Sequence, residues 1–144
     1  MPKITIVGDP GSTWMGRMDF AQRLIDVGKE SGLDCVKFQL FEGKVYKDAG
    51  NLEMRLDQFK DLYNYGKTIG MPVTASVFNS QSLELLTSMD VHHIKFGYSM
   101  RNSLDWIQGA LELGKRVVVT TNINDSWDLP EPRPTETLVK LITQ

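Results

Sequence analysis

Short apolar runs alternate along this chain with longer stretches in which apolar residues recur every three or four positions. Ile4-Thr5-Ile6-Val7 predicts a first strand running into Gly8. A helix follows from about Asp19 to Ser31, with Phe20, Ala21, Leu24, Ile25 and Gly28 on one face. Gly32 ends it, and Cys35 to Leu40 reads as the second strand. The polar stretch from Glu42 to Asn51, carrying Gly43 and Gly50, reads as a functional loop at that strand's exit. The next helix runs from about Arg55 to Thr68, with Leu56, Phe59, Leu62, Tyr63 and Gly66 on its apolar side. Gly70 and Pro72 end it and open a third strand, Val73 to Phe78. Ser80 is the expected cap of a short helix bearing Leu83, Leu86 and Met89. His93 to Tyr98 is the fourth strand, and a helix capped near Asn102 or Ser103 carries Leu104, Ile107, Ala110 and Leu111. Gly114 stops that helix before the fifth strand, Arg116 to Thr121. Asp125 to Pro134, rich in proline and acid, cannot be the next helix, and Thr137 to Ile142 reads as a sixth strand in preference to a short terminal helix.

Strands alternating with helices imply right-handed βαβ units and a parallel sheet. Strand starts near residues 3, 35, 72, 93 and 116 have the spacing of (β/α)-barrel units, whose repeat is about 30 residues. The expected fold is therefore α/β, a partial TIM-type barrel of five or six parallel strands with helices outside, forming one domain over residues 1–144. A closed barrel takes about 200 residues or more. The chain then reads as a piece of a longer barrel, or as a half-barrel that covers its open sheet edges by homo-oligomerisation. An open doubly wound sheet fits less well, because Gly8-Asp9-Pro10-Gly11 lacks the G-x-G-x-x-G phosphate loop.

Composition narrows the class without naming a chemistry. A net charge of −2 gives no electrostatic reason to expect nucleic acid or an anionic membrane as partner. No apolar run approaches the roughly 20 residues that span a bilayer. The first eight residues read as a strand running into a glycine, not as a signal peptide. The single cysteine, Cys35, excludes an internal disulfide, fits a reducing cytoplasm, and reads as a buried inert thiol.

The informative residues are Lys37 and Lys95, each near the middle of an apolar strand. An ammonium buried in a sheet is costly unless an anion meets it. Alternation places Lys37 and Gln39 on one face of strand two, and Val36, Phe38 and Leu40 on the other. The same rule turns Thr74, Ser76 and Phe78 inward from strand three and Lys95 and Gly97 inward from strand four; in strand five the choice lies between Thr120 and Thr121. Strands two and four stand about 10 Å apart, at roughly 4.8 Å per step, so two flexible lysine stems can reach one anion between them. A phosphate or carboxylate of a small substrate is the simplest guest. A lysine that forms an imine with a carbonyl substrate, as in class I aldolases, is an alternative use of the same residues. A third reading is a non-catalytic half-barrel that binds an anion and assembles through its edges. His92 and His93 precede strand four, at the end of the sheet away from the strand exits, and adjacent side chains in an extended segment are expected on opposite sides, so they read as no metal pair. Asp9, Glu42 and Asn122 lie at or beyond strand exits, where they could bind a cation or a sugar, but read first as solvated loop polars; Trp14 and Trp127 flank the same end, where they could stack on a ligand, but read first as core or rim packing.

Met15-Gly16, Leu24-Ile25-Asp26, Val36-Lys37-Phe38-Gln39, Ala75-Ser76-Val77-Phe78, Ile94-Lys95-Phe96-Gly97 and Val118-Val119-Thr120-Thr121 are together similar to segments of one enzyme family. The chain resembles the N-acetylneuraminate (sialic acid) synthase family, whose strands carry V-K-F-Q, S-T-P-F, K-I-G-S or K-I-A-S, and I-L-S-T. The resemblance implies a (β/α)8 barrel that condenses phosphoenolpyruvate with N-acetylmannosamine or its phosphate, using a divalent metal such as manganese or magnesium. It implies Lys37, Gln39, Ser76, Lys95 and Thr120 as phosphoenolpyruvate contacts. The chain also departs from the family. Ile6 stands where strand one has an acid, and Tyr98-Ser99-Met100 replaces serine, glycine and a catalytic glutamate. The asparagine-histidine-asparagine-glycine turn gives way to the Asp9 to Gly16 loop, and no histidine follows His93, so the family's histidine metal ligands are absent from this chain. The antifreeze-like domain that completes the family's sugar site is not expected within these 144 residues. The implied reaction is thus expected to be incomplete here, with the phosphate side of the site better kept than the sugar and metal sides.

Overall fold

The computed structural model describes residues 4–41 and 52–122, together with the backbone of 138–143. The chain divides into two compact units, Met1–Ala75 and Ser76–Gln144. The boundary falls inside strand β3, Val73–Val77.

In the first unit, β1 (Val7–Gly11) pairs in parallel with β2 (Cys35–Leu40). Helix α1 (Met18–Glu30) connects them, and α2 (Leu56–Ile69) leads to β3. The helices bury the stripes that their spacing dictates, Ala21, Ile25 and Gly28 on α1 and Phe59, Leu62 and Gly66 on α2. Phe20, expected on the buried face of α1, is 40% exposed. The two glycines set how closely helix meets sheet. A Cβ on Gly28 would fall 2.5 Å from Val36 Cγ2, and one on Gly66 would fall 2.5 Å from both the Met71 carbonyl oxygen and Val73 Cγ2. Val36 and Val73 therefore point to the helices. By alternation, Lys37 and Gln39 of β2 and Thr74 of β3 point to the other face. The Tyr65 hydroxyl donates to Asp26 Oδ1 at 2.6 Å, and the Lys29 ammonium donates to the Ile69 carbonyl, tying α2 to α1.

The first strand corrects the sequence reading by three residues. Ile4 and Ile6 are 81% and 53% exposed, and the ladder begins only where Val7 meets Cys35. The apolar Ile4-Val7 run carried the propensity, but the backbone that pairs is Val7-Gly8-Asp9-Pro10-Gly11. Glycine and proline are poor strand formers and usually mark an edge or a bulge. Both apply here. The register runs Val7↔Cys35, Gly8↔Val36 and Gly11↔Phe38, so Asp9 and Pro10 together oppose Lys37. Gly11 leaves the bulge at φ 54, open to glycine at little cost.

In the second unit, the end of β3 pairs with β4 (Ile94–Phe96), β4 with β5 (Val117–Asn122), and β5 with β6 (Leu138–Thr143), all in parallel. Helix α3 (Ser80–Ser88) lies between β3 and β4, and α4 (Leu104–Glu112) between β4 and β5. The sixth strand is thus a strand, as read from its sequence. The cap of α3 is Asn79, not Ser80: Asn79 Oδ1 accepts from the Ser82 N–H at 2.8 Å, while Ser80 is already helical. Ser103 caps α4. The fourth strand is shorter than the apolar run, because Gly97 turns the chain into a 3-10 turn over Tyr98–Met100. In β5 burial alternates, Val117, Val119 and Thr121 being buried and Val118, Thr120 and Asn122 half-buried. Among the described residues no helix is long and apolar enough to cross a membrane. The Glu42–Asn51 loop, the Asp125–Pro134 segment and Trp127 lie outside the described residues.

Candidate functional site

Each unit carries one of the two lysines, and each lysine is buried. In the first unit Lys37 is 6% exposed. Its ammonium lies 2.8 Å from Asp9 Oδ2, and the Asp9 side chain is itself 51% exposed. Burial of an ammonium calls for a nearby anion, and this carboxylate supplies it. Asp9 reaches the lysine because the bulge places two β1 residues against one β2 residue. Gln39 shares the Lys37 face, two residues on, and its amide packs on the Gly11 backbone, so that a Cβ there would lie 3.5 Å from Gln39 Cδ. The reading of Asp9 as a solvated polar at or beyond a strand exit is thus corrected: it sits within β1 and is ion-paired. Ile6 lies before the strand as folded, which carries Asp9. Its signal in the sequence is an acid on the strand next to a buried lysine, hidden by the glycines and proline around it.

Cys35 lies on β2 two residues before Lys37, fully buried. Burial pushes its thiol up to about 12, against the pull of the Lys37 charge in the other direction. At neutral pH the sulfur is protonated and is no nucleophile, as its place in the apolar run suggested.

In the second unit the register sets Ser76 of β3 opposite Lys95 of β4, and Lys95 opposite Val118 of β5. The Lys95 ammonium donates to Thr120 Oγ1. Ser76 and Lys95 are 4% and 7% exposed. Of the two β5 threonines left open by the sequence, Thr120 meets the lysine, while Thr121 is buried on the opposite side of the strand. Beyond β4, the Arg101 guanidinium stacks 3.8 Å over the Tyr98 ring and donates to the Tyr98 carbonyl at 2.9 Å. This places a further cation just after the β4 exit, which the sequence reading did not single out. Trp14, in the loop after β1, is 1% exposed and is interior packing.

His92 and His93 stand at the entry end of β4. Their rings meet edge to face with Nδ1 atoms 2.9 Å apart, one donating to the other. They face each other, therefore, and do not point to opposite sides as expected for an extended segment. The resemblance implies a manganese or magnesium ion, which takes hard oxygen or imidazole ligands. Within either unit by itself, the described His, Cys, Asp and Glu side chains bring no three ligand atoms together. Asp9 is engaged with an ammonium, and the histidines sit at the opposite end of the strand from its exit. The described residues of neither unit fit that ion.

The family model described as "NeuB family" matches residues 24–131. The chain belongs to the NeuB family. Among curated NeuB relatives, N-acetylneuraminate-9-phosphate synthase of Mus musculus is 28% identical over 139 residues, covering 82% of this chain and 39% of the relative. N,N'-diacetyllegionaminic acid synthase of Campylobacter jejuni is 23% identical over 153 residues, covering 91% of this chain and 46% of the relative. The chain thus spans about two fifths of the length of the curated relatives it matches. Among solved structures, the N-acetylneuraminic acid synthetase of Leptospira borgpetersenii in complex with citrate superposes with a TM-score of 0.76 at 18% identity, over 87% of this chain and 47% of that one. A DAHP synthase of Thermotoga maritima gives 0.66 at 14% identity, over 85% and 34%. These likenesses establish the fold as part of a TIM-type (β/α) barrel. The stretch matched by the NeuB model includes Lys37, Gln39, Ser76, Lys95 and Thr120 and leaves out β1 with Asp9.

Proposed function

We propose that this chain carries the phosphoenolpyruvate side of a NeuB-type condensing site, with Lys37, Gln39, Ser76, Lys95 and Thr120 as its contacts. The observation that carries the reading is the pair of buried lysines, on β2 and β4 inside the stretch matched by the family model. Lys37 has Gln39 beside it on the face away from α1, and Lys95 donates to Thr120 Oγ1. A substrate that brings both a phosphate and a carboxylate suits two ammonium groups, each neutralising one anion. In the complete reaction the methylene carbon of phosphoenolpyruvate bonds to the aldehyde carbon of an N-acetylated amino sugar of the N-acetylmannosamine type, whose oxygen takes up a proton. Water adds at the phosphate-bearing carbon, and that carbon's bond to the phosphate oxygen breaks as inorganic phosphate leaves. The lysines hold the phosphate and carboxylate throughout. The proposal covers the anion side of the condensation, and the sugar and metal sides lie outside it. Self-association through open strand edges belongs to the same reading, carried by β1, which pairs with β2 alone among the described residues.

Thermal melting with and without phosphoenolpyruvate tests the proposal. A ligand at ten times its Kd adds about 1.4 kcal/mol, which for a chain of this length raises Tm by about 4 °C. Borohydride treatment in the presence of a keto acid is expected to leave the mass unchanged. A flat Tm at millimolar phosphoenolpyruvate sinks the proposal, and a trapped adduct on Lys37 or Lys95 replaces it with imine chemistry.

A further inference from the structure

Lys37 and Asp9 are unequal partners. The ammonium is 6% exposed and held on a strand with apolar neighbours, whereas the carboxylate side chain is 51% exposed and sits on a bulge at the side of the sheet. A half-exposed carboxylate regains water at little cost when it swings away, but a buried ammonium cannot follow it out. The bulge is what brings the two together, by setting Asp9 and Pro10 against the single residue Lys37. The carboxylate oxygen at 2.8 Å stands where an oxygen of an incoming anion would make its charge-assisted bond.

We infer that Asp9 is a resident competitor for the Lys37 anion site, occupying the ammonium until a phosphate- or carboxylate-bearing ligand displaces it. The inference rests on the reading of Lys37 as an anion site. Asp9 then sets the threshold for binding: the apparent Kd equals the intrinsic one divided by the fraction of molecules in which the carboxylate has left. It also selects. A weakly charged ligand that cannot match a carboxylate fails to displace it, while a multiply charged phosphate succeeds.

The test is calorimetric titration of the full chain with phosphoenolpyruvate and, separately, with inorganic phosphate. Asp9→Asn keeps the shape of the side chain and removes its charge. Exposed and half-exposed ion pairs are weak, so both ligands are expected to bind up to about fivefold more tightly to this variant. Asp9→Ser, which shortens the side chain, is expected to tighten binding by a similar factor and serves if the asparagine variant misfolds. Unchanged or weaker binding in a folded variant, with the wild type binding normally, overturns the inference and makes Asp9 a support for the bound state. Absence of binding in the wild type and in both variants overturns the anion-site reading of Lys37 itself.

Discussion

Lys37→Met is expected to abolish measurable phosphoenolpyruvate binding while leaving the melting temperature unchanged or higher. The two effects have separate causes. A charge-assisted contact contributes about 1.5–3 kcal/mol, so loss of the ammonium weakens binding by roughly 10- to 150-fold, beyond the reach of a millimolar titration if the wild type binds weakly. The fold, in contrast, loses a desolvated charge. Replacing a buried ion pair by apolar groups of similar size is often neutral or stabilising by about 1–4 kcal/mol. Stranding Asp9 costs little, because its side chain is half-exposed and returns to water. Paired melts with and without phosphoenolpyruvate read both effects at once. A variant that melts several degrees lower would show that Lys37 is held for the fold and not for a ligand.

The largest effect on stability is expected from Gly66→Ala. Helix propensity alone favours alanine at an interior helix position by about 1 kcal/mol. Geometry opposes it more strongly. The new methyl would fall 2.5 Å from the Met71 carbonyl oxygen and from Val73 Cγ2, and the first of these is backbone. That carbonyl cannot rotate aside as a side chain does, and Met71 is itself fixed by its N–H bond to the Gly66 carbonyl at 2.8 Å. Helix α2 must lift away from β3, at the cost of overpacking, about 1–3 kcal/mol or more. The net expectation is a lower Tm, by up to about 7 °C, measured by calorimetry on the folded chain. An unchanged Tm would mean that the helix-to-strand approach yields to a methyl group.

Much of the fold was legible because its strands and helices are amphipathic in the ordinary way. Ala21, Ile25 and Gly28, and Phe59, Leu62 and Gly66, recur at helical spacing and are the residues buried. The run Cys35 to Leu40 became β2, with Val36 toward α1 and Lys37 on the face away from it, as alternation required. Errors arose where local chemistry and apolar pattern disagree. Ile4 and Ile6 are good strand residues that lie exposed, whereas the pairing backbone of β1 contains two glycines and a proline. That single misplacement also concealed the ion pair of Asp9 with Lys37, since an acid assigned to a loop has no strand neighbour. The Asn79 cap was missed by one residue, because asparagine and serine both suit the position and only geometry chooses. Pairing of Lys95 with Thr120 in preference to Thr121 is likewise a matter of register, which the isolated run Val117 to Thr121 does not contain.

The proposal that Lys37 and Lys95 each hold one anionic group of the same phosphoenolpyruvate is tested most directly by calorimetric titration of that ligand into the wild type, Lys37→Met and Lys95→Met. A shared site predicts a single ligand per chain in the wild type and a loss of about tenfold or more of that same affinity in each variant. Two independent binding events in the wild type, one removed by each substitution, or a Lys95→Met variant that binds as the wild type does, would contradict it.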